Sequence, residues 1–553
     1  MRAHLRFQWW WVPIAASVLL SCGGETAAPS RHIAFTDVGR ELGIDFEHHN
    51  GFAGDYYYVE TFGSGAAFID YDGDGWLDIY LVDGAALSDD DIEPTPVNKL
   101  YRSDGGGQRF VDVSASVGAA DTGYGMGCAI ADYDNDGDWD LFVANYGADA
   151  FFRNDDGSFL DVTDDSGLGD PRWATSAGFL DFDNDGDLDL YVTAYVDFEI
   201  SHNISCKKGG VRSYCEPETY DPVRDILYRN DDEGGHPAFV DVTLEAGVDL
   251  RGRGLGVAFS DYDADGDTDI YVANDGTMNF LYENRRGTYT EVGLQVGARY
   301  NAEGKAEAGM GVDFGDYDND GDQDIFVTNF NYETNTLYAN DSAGRFLDVT
   351  SRTQLSEPSF APLGFGTRFF DYDNDTDLDL FVANGHVMDR IAEVFPDVSY
   401  AQPNQILSND GGIFTDASDG LGAALAVADV SRATATGDYD NDGDIDLLVT
   451  NEAGRPNLLR NDGGNRANWL IVELIGSRLR DALGARVELA AGGVLQVRER
   501  QSGGSYLSAS DPRLHFGLGS AEVVDLTVFW PDGSASELAA VKANQILTVN
   551  QPY

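Results

Sequence analysis

The sequence predicts an all-β fold: a seven-bladed β-propeller followed by a small C-terminal β-sandwich-like domain. Three observations predict it. A nine-residue acidic segment recurs seven times in one register, beginning at Asp70, Asp132, Asp181, Asp261, Asp316, Asp371 and Asp438. Each copy is preceded by a Gly-rich segment and runs directly into a β-branched and aromatic one. From about Asn465 the acidic repeat stops and the composition shifts toward Arg.

The bulk numbers set the limits. At 553 residues the chain is too long for one ordinary domain, and 42% hydrophobic residues supply large packed cores. Acidic residues outnumber Lys and Arg 96 to 35, a formal charge of -61. That excludes nucleic acid as a partner, because phosphate backbones need basic side chains to displace their counterions.

Each repeat carries Asp at positions 1, 3, 5 and 9. These are Asp70, Asp72, Asp74 and Asp78; Asp132, Asp134, Asp136 and Asp140; Asp181, Asp183, Asp185 and Asp189; and Asp261, Asp263, Asp265 and Asp269. The last three sets are Asp316, Asp318, Asp320 and Asp324; Asp371, Asp373, Asp375 and Asp379; and Asp438, Asp440, Asp442 and Asp446. Position 2 is always aromatic, and position 6 is Gly except for Thr376. Alternating carboxylates around a turn-permitting Gly describe an oxygen cage for a hard cation. Calcium fits it. Magnesium keeps its own waters and takes few protein carboxylates.

The same half-motif opens an EF-hand loop, which requires a bidentate Glu at position 12 and a following helix. Position 12 here is Leu81, Val143, Val192, Val272, Val327, Val382 or Val449, inside segments such as "LFVA" that read as buried strands. The loop therefore joins two strands, and Asp at position 9 supplies the missing carboxylate. Downstream come a turn into "LYRN"-like segments and a Phe-x-Asp-Val strand, giving four short strands per unit. Units are spaced 49 to 80 residues apart by their first Asp. A Phe-x-Asp-Val segment, "FTDVGRELG" from Phe35, precedes the first loop and none follows the seventh. A closed ring predicts this if the N-terminal strand completes the last blade and removes the open edge; the competing arrangement is an open array with a ragged first repeat.

These loops resemble the VCBS or FG-GAP repeats of integrin-like propellers. The resemblance implies that the side chains at positions 1, 3, 5 and 9 bind calcium together with the backbone carbonyl at position 7: Trp76, Asp138, Asp187, Asp267, Asp322, Asp377 and Asp444. Thr376 departs from the pattern, since a β-branched residue resists positive φ. The C-terminal segments "GARV", "HFGLG" and "WPDG" occur in the order of the ASPIC/UnbV domain that follows such propellers in proteins similar to cartilage acidic protein 1. The implied layout is a signal at 1–22, a linker at 23–31, the propeller at 32–464 and an ASPIC/UnbV domain at 465–553.

Residues 1–22 carry two Arg and a short apolar run, which reads as a secretory signal rather than a membrane span. Leu19-Leu20-Ser21-Cys22 resembles a bacterial lipobox, which implies lipidation of Cys22 and membrane anchoring, the outer membrane being favoured by Gly23; the other reading is a plain signal cleaved nearby. An exported compartment permits a disulfide between Cys206 and Cys215, which bracket a polar insertion resembling the family's cysteine pair.

For function, 34 of the 96 acidic side chains lie in the loops, five in six copies and four in the first, so calcium would relieve self-repulsion. No HExxH, GxSxG, P-loop or Cys-His pairing is present, and the reading is non-enzymatic. The favoured class is an exported, calcium-stapled binding, adhesion or scaffold module with a protein or glycan ligand on the propeller face. The alternatives are a calcium-dependent envelope hydrolase or lyase and a spacer without ligand. Insertions at about 196–226 and 384–403 are the places to look for partner contacts.

Overall fold

The computed structural model describes residues 32–87, 95–231, 238–477 and 479–552, so Cys22 and the leader lie outside the described residues. From Ile33 onward the chain forms one compact unit.

Seven antiparallel meanders follow one another, numbered here as sheets 1 to 7. In sheet 2 the acidic loop joins strand Tyr124–Ala131 to Asp140–Tyr146, and turns lead on to Ala150–Asn154 and the short outer strand Phe159–Asp161. The same order recurs from first strands Ala66–Ile69, Ala174–Leu180, Gly254–Ser260, Val312–Gly315, Gly364–Phe370 and Ser431–Gly437. Sheet 7 takes its outer strand from the other end of the chain: Ala34–Asp37 pairs antiparallel with Asn457–Asp462, Phe35 opposite Asn461. The small residues of the first strands have a steric reason. A Cβ on Gly127 would lie 2.5 Å from the Thr175 carbonyl of the next sheet.

The first strand of each sheet packs against that of the next, and Ser431–Gly437 packs back against Ala66–Ile69. No sheet closes on itself; side chains make the junctions. Each position 2 aromatic pairs with the outer-strand aromatic of the following sheet, as in Tyr71 with Phe159 and Tyr133 with Phe239. The seven pairs have centroids 5.5 to 6.4 Å apart, and Tyr439 with Phe110 joins sheet 7 to sheet 1.

A second junction is polar. The Asn ending the third strand donates its side-chain amide to the position 2 carbonyl of the preceding sheet. Asn154 reaches Tyr71, Asn230 Tyr133, Asn284 Phe182, Asn340 Tyr262, Asn409 Tyr317 and Asn461 Tyr372, at 2.8 to 3.5 Å. Sheet 1 has Ser103 at that place. Its hydroxyl is buried without a partner, and it is too short to span to Tyr439.

The C-terminal domain sets a three-stranded sheet (Leu514–Gly519, Asn468–Ile475, Ile546–Asn550) against a four-stranded one (Val494–Glu499, Arg486–Ala491, Val523–Phe529, Ala535–Lys542) over one core that includes Leu470, Leu489, Phe516 and Trp530. It does not stand apart from the ring. Between Glu499 and Leu514 the chain leaves this core and touches the first strand of all seven sheets. Ser508 and Ala509 pair in parallel with Ala66 and Ala67; Cys128 N–H donates to the Leu507 carbonyl (3.3 Å), and Phe179 N–H to the Ser502 hydroxyl (3.0 Å). Gly504 N–H donates to Val257, Ser505 exchanges both backbone bonds with Val312, Thr367 N–H donates to the Ser505 hydroxyl, and the Ser508 hydroxyl donates to Thr434. Inner strand edges carry unpaired backbone groups, and a thin Gly- and Ser-rich segment is what can satisfy them there. The sequence reading assigned this stretch to the C-terminal domain alone.

Ser103→Asn is expected to add the seventh amide latch and raise the unfolding free energy by about 1 kcal/mol, as read by urea denaturation, whereas Asn340→Ala should lower it by at least as much.

Candidate metal centre

Each acidic loop is built by its own carboxylates. The position 1 Asp accepts the N–H of position 6 at 2.9 to 3.2 Å, and the position 5 Asp accepts the N–H of position 7 at 3.0 to 3.3 Å. The position 9 Asp, buried in every copy, binds two backbone donors. One oxygen takes the N–H of the position 2 aromatic (3.0 to 3.3 Å) and the other the N–H that ends the third strand (2.7 to 2.9 Å). Each of these oxygens keeps a lone pair for a cation.

Two left-handed residues bend the loop. Position 6 has φ from 86° to 106°, including 97° at Thr376, and position 4 has φ from 55° to 65°: Gly73, Asn135, Asn184, Ala264, Asn319, Asn374 and Asn441. Asn at position 4 suits αL, a signal the sequence reading overlooked. Loop 6 keeps the shared geometry in spite of Thr376, whose N–H reaches Asp371 at 2.9 Å. Neighbouring loops are linked through position 4: Asn184 to Asp267, Asn319 to Asp377, Asn374 to the Gly443 carbonyl, and Asn441 to the Gly75 carbonyl of loop 1.

The donor set fits a hard cation. In loops 1 and 3 one oxygen from each of positions 1, 3 and 9 lies within 4.8 Å of the others; in loops 2, 4 and 5 positions 1, 3 and 5 do so. The Oδ1 atoms of Asp183, Asp263, Asp373 and Asp440, all at position 3, are buried with no hydrogen-bond donor. Burial pushes the position 1 carboxyls up, Asp70 and Asp261 to about 6, Asp132, Asp181 and Asp316 to about 7 and Asp438 to about 8. Asp78 rises to about 8 for the same reason. A divalent ion held there would relieve this by replacing protons with a centred charge.

The C-terminal domain roofs this rim with cations. Arg513 donates to the Asp438 carbonyl and the Asn441 side chain, Arg480 lies 3.7 Å from the Asp132 carboxylate and stacks over Gly137, and half-buried Arg498 sits in the field of Asp316 and Asp371. Trp469 covers Gly443, where any Cβ would collide with the indole.

The insertions lie at the opposite end, beyond the second strands of sheets 3 and 6. Cys206 and Cys215 form a disulfide with Cα atoms 5.1 Å apart, and Val394 of the second insertion packs on Gly209 of the first. Cys128 is buried in a first strand. Under this cap Arg432 is fully buried, its guanidinium donating to the carbonyls of Thr61, Gly385, Ser431 and His386 and lying 4.2 Å over the Phe365 ring. Beside it Glu452 is pushed up to about 8, chiefly by burial, against the opposing pull of Arg432. His48, which accepts the Ala453 N–H at its Nδ1, is pushed down to about 3 by burial.

Four overlapping segments, 70–143, 132–192, 261–327 and 316–382, match the FG-GAP-like repeat family, and residues 476–553 match the ASPIC and UnbV family. The chain thus carries FG-GAP-like repeats within 70–192 and 261–382 and an ASPIC and UnbV segment at 476–553. It is similar to cartilage acidic protein 1. Identity is 28% to the protein of Mus musculus, over 61% of this chain and 50% of that one, and 28% to that of Homo sapiens, over 61% and 48%. The chain thus spans about half the length of the curated relatives it matches. Among solved structures it resembles rhamnogalacturonan lyase YesW, 14% identical over 71% of each chain with a TM-score of 0.38, and BBS1N bound to ARL6DN, 12% identical over 78% and 97% with a TM-score of 0.38. Superpositions this loose carry no argument about activity. Among the described residues no helix is long and apolar enough to cross a membrane.

Thr376→Gly is expected to relieve αL strain in loop 6 and stabilise the fold by about 1 kcal/mol, a gain that calorimetry resolves. Glu452→Gln tests the buried acid. Because the folded carboxyl lies above its unfolded value of 4.5, the native state binds the extra proton between pH 4.5 and about 8, and stability falls as pH rises through that window. The variant should lack that fall, so the difference between the two urea-denaturation curves should widen from pH 5 to pH 8 in calcium-containing buffer.

Proposed function

We propose that this protein is an exported calcium-binding β-propeller that acts as a binding or scaffold module rather than as an enzyme. Its seven meanders are the blades, each stapled by one calcium ion held by the carboxylates of positions 1, 3, 5 and 9 and the carbonyl of position 7. The observation that carries the reading is the set of buried position 3 oxygens without donors, inside carboxylate cages, on a chain of net charge -61. The cyclic order of contacts, with Tyr439 on Phe110 and Asn441 on Gly75, supports seven blades around one axis. Binding seven divalent ions offsets 14 of the negative charges, and ions that bind the native state alone stabilise it by mass action.

With the acidic rim roofed by the ASPIC and UnbV domain, the insertion-bearing end is the face offered to a protein or glycan partner. The lipobox-like Cys22 supplies a membrane anchor on this reading, and the similarity to cartilage acidic protein 1 supports an extracellular or exported setting.

Chelation of calcium with EDTA is expected to lower the melting temperature by more than about ten degrees, and restoring calcium should recover it. A melting curve indifferent to EDTA would overturn the calcium reading.

A further inference from the structure

The insertion-bearing end carries a cavity of about 300 Å³ at the mouth of the ring, on the far side from the calcium loops. Its floor is apolar and fixed. Tyr58, Phe62 and Phe365 are buried there; Phe365 packs on Tyr506 of the C-terminal segment at 5.1 Å, and the Tyr506 hydroxyl donates to the Phe62 carbonyl at 2.9 Å. The wall is acidic, with Asp275 after the second strand of sheet 4, Glu218 on the disulfide-bonded insertion and Glu333 after the second strand of sheet 5.

The hydrogen bonds hold these acids as acceptors. The Tyr195 hydroxyl donates to Asp275 and is itself 2.8 Å from the Tyr58 hydroxyl, while Glu333 accepts the Ala308 N–H at 2.9 Å. Burial lifts Asp275 only to about 6, so it is ionised at pH 7.5. Countercharge is short. Lys208 on the rim is already paired with Glu216 at 3.1 Å; Arg253, beside Gly276 and Glu218, pulls on Asp275, Lys305 pulls on Glu333, and Arg432 lies over the Phe365 ring, so the described lining itself sets Asp275, Glu216, Glu218 and Glu333 against Lys208. An apolar floor of fixed aromatic rings with an excess of carboxylates at one side selects a cation on an apolar stem over an anion or a neutral polyol.

We propose that this cavity binds an alkylammonium group, its charge set against Asp275, Glu218 and Glu333 and its methylene stem laid against Tyr58 and the half-buried Phe330. The same chemistry is presented by a free diamine and by the lysine side chain of a partner protein. This rests on the reading of the chain as a binding module and names the ligand class of its open face.

The test is isothermal titration of the full, calcium-loaded chain with 1,5-diaminopentane and with its neutral isostere 1,5-pentanediol. The diamine should bind saturably and at least about tenfold more tightly than the diol, and its affinity should fall with added salt. Glu218→Gln, on an exposed loop, should weaken diamine binding several-fold at an unchanged melting temperature, and Asp275→Asn should do so more strongly. Equal binding of diol and diamine, no diamine binding, or variants that bind as well as the parent would overturn the proposal. A lysine-containing peptide compared with its acetyl-lysine form separates the sources: peptide binding tighter than the diamine marks a partner side chain, and diamine binding alone marks a small molecule. The EDTA melt tests the calcium reading on its own, so either proposal can fail without the other.

Discussion

A carboxylate buried at the ninth position of every acidic loop, with one oxygen on the N–H of the loop's aromatic residue and the other on the N–H that ends the third strand, is the joint on which the ring is assembled. It fixes the loop to its own sheet. By doing so it aims the position 2 aromatic at the outer strand of the following sheet and presents that residue's carbonyl to the Asn of the same neighbour. One desolvated carboxylate per repeat thus sets an intra-sheet bond, an aromatic contact and an amide latch. Leaving either donor unpaired would cost about 1 to 3 kcal/mol at each site, multiplied around the ring. The concentration of charge this requires is the structural problem that the proposed divalent cation in each loop would resolve.

Much of this was legible in the sequence because it is local. The continuous apolar strand segments, the acidic register and the outer Phe-x-Asp-Val strand fall within one repeat, and "FTDV" ahead of the first loop pointed to a strand without a partner nearby. The loop between the first two strands of each sheet, and the grouping of Asp at positions 1, 3, 5 and 9, are of this local kind. What escaped lies between repeats. The amide of Asn340 and the Tyr262 carbonyl are 78 positions apart, and no pattern within one repeat distinguishes a latch from a turn residue. Ser103 was invisible for the same reason, since its difference from Asn matters only against Tyr439 of the last loop.

The segment through the middle of the ring was illegible for another reason. "QSGGSYLSAS" is small, polar and Gly-rich, and nothing in its composition announces that its partners are the inner edges of seven other sheets. Its small residues permit the passage, and Gly503 and Gly504 take positive φ where the backbone turns between sheets 3 and 5. The consequence is a chain whose C-terminal domain is bound into the ring at both levels, by backbone bonds along the axis and by Arg480, Arg498 and Arg513 over the acidic rim. The same segment supplies Tyr506, which supports the aromatic floor at the opposite end. The acidic loops at one end and the cavity at the other therefore share a single element.

The most direct measurement is anomalous diffraction from crystals grown with calcium. The account predicts seven calcium peaks, one in each loop, about 2.3 to 2.6 Å from the aspartate oxygens, with the position 3 carboxylates of Asp183, Asp263, Asp373 and Asp440 among the ligands. Loops without peaks at millimolar calcium, with the sheets and their Asn latches unchanged, would contradict it.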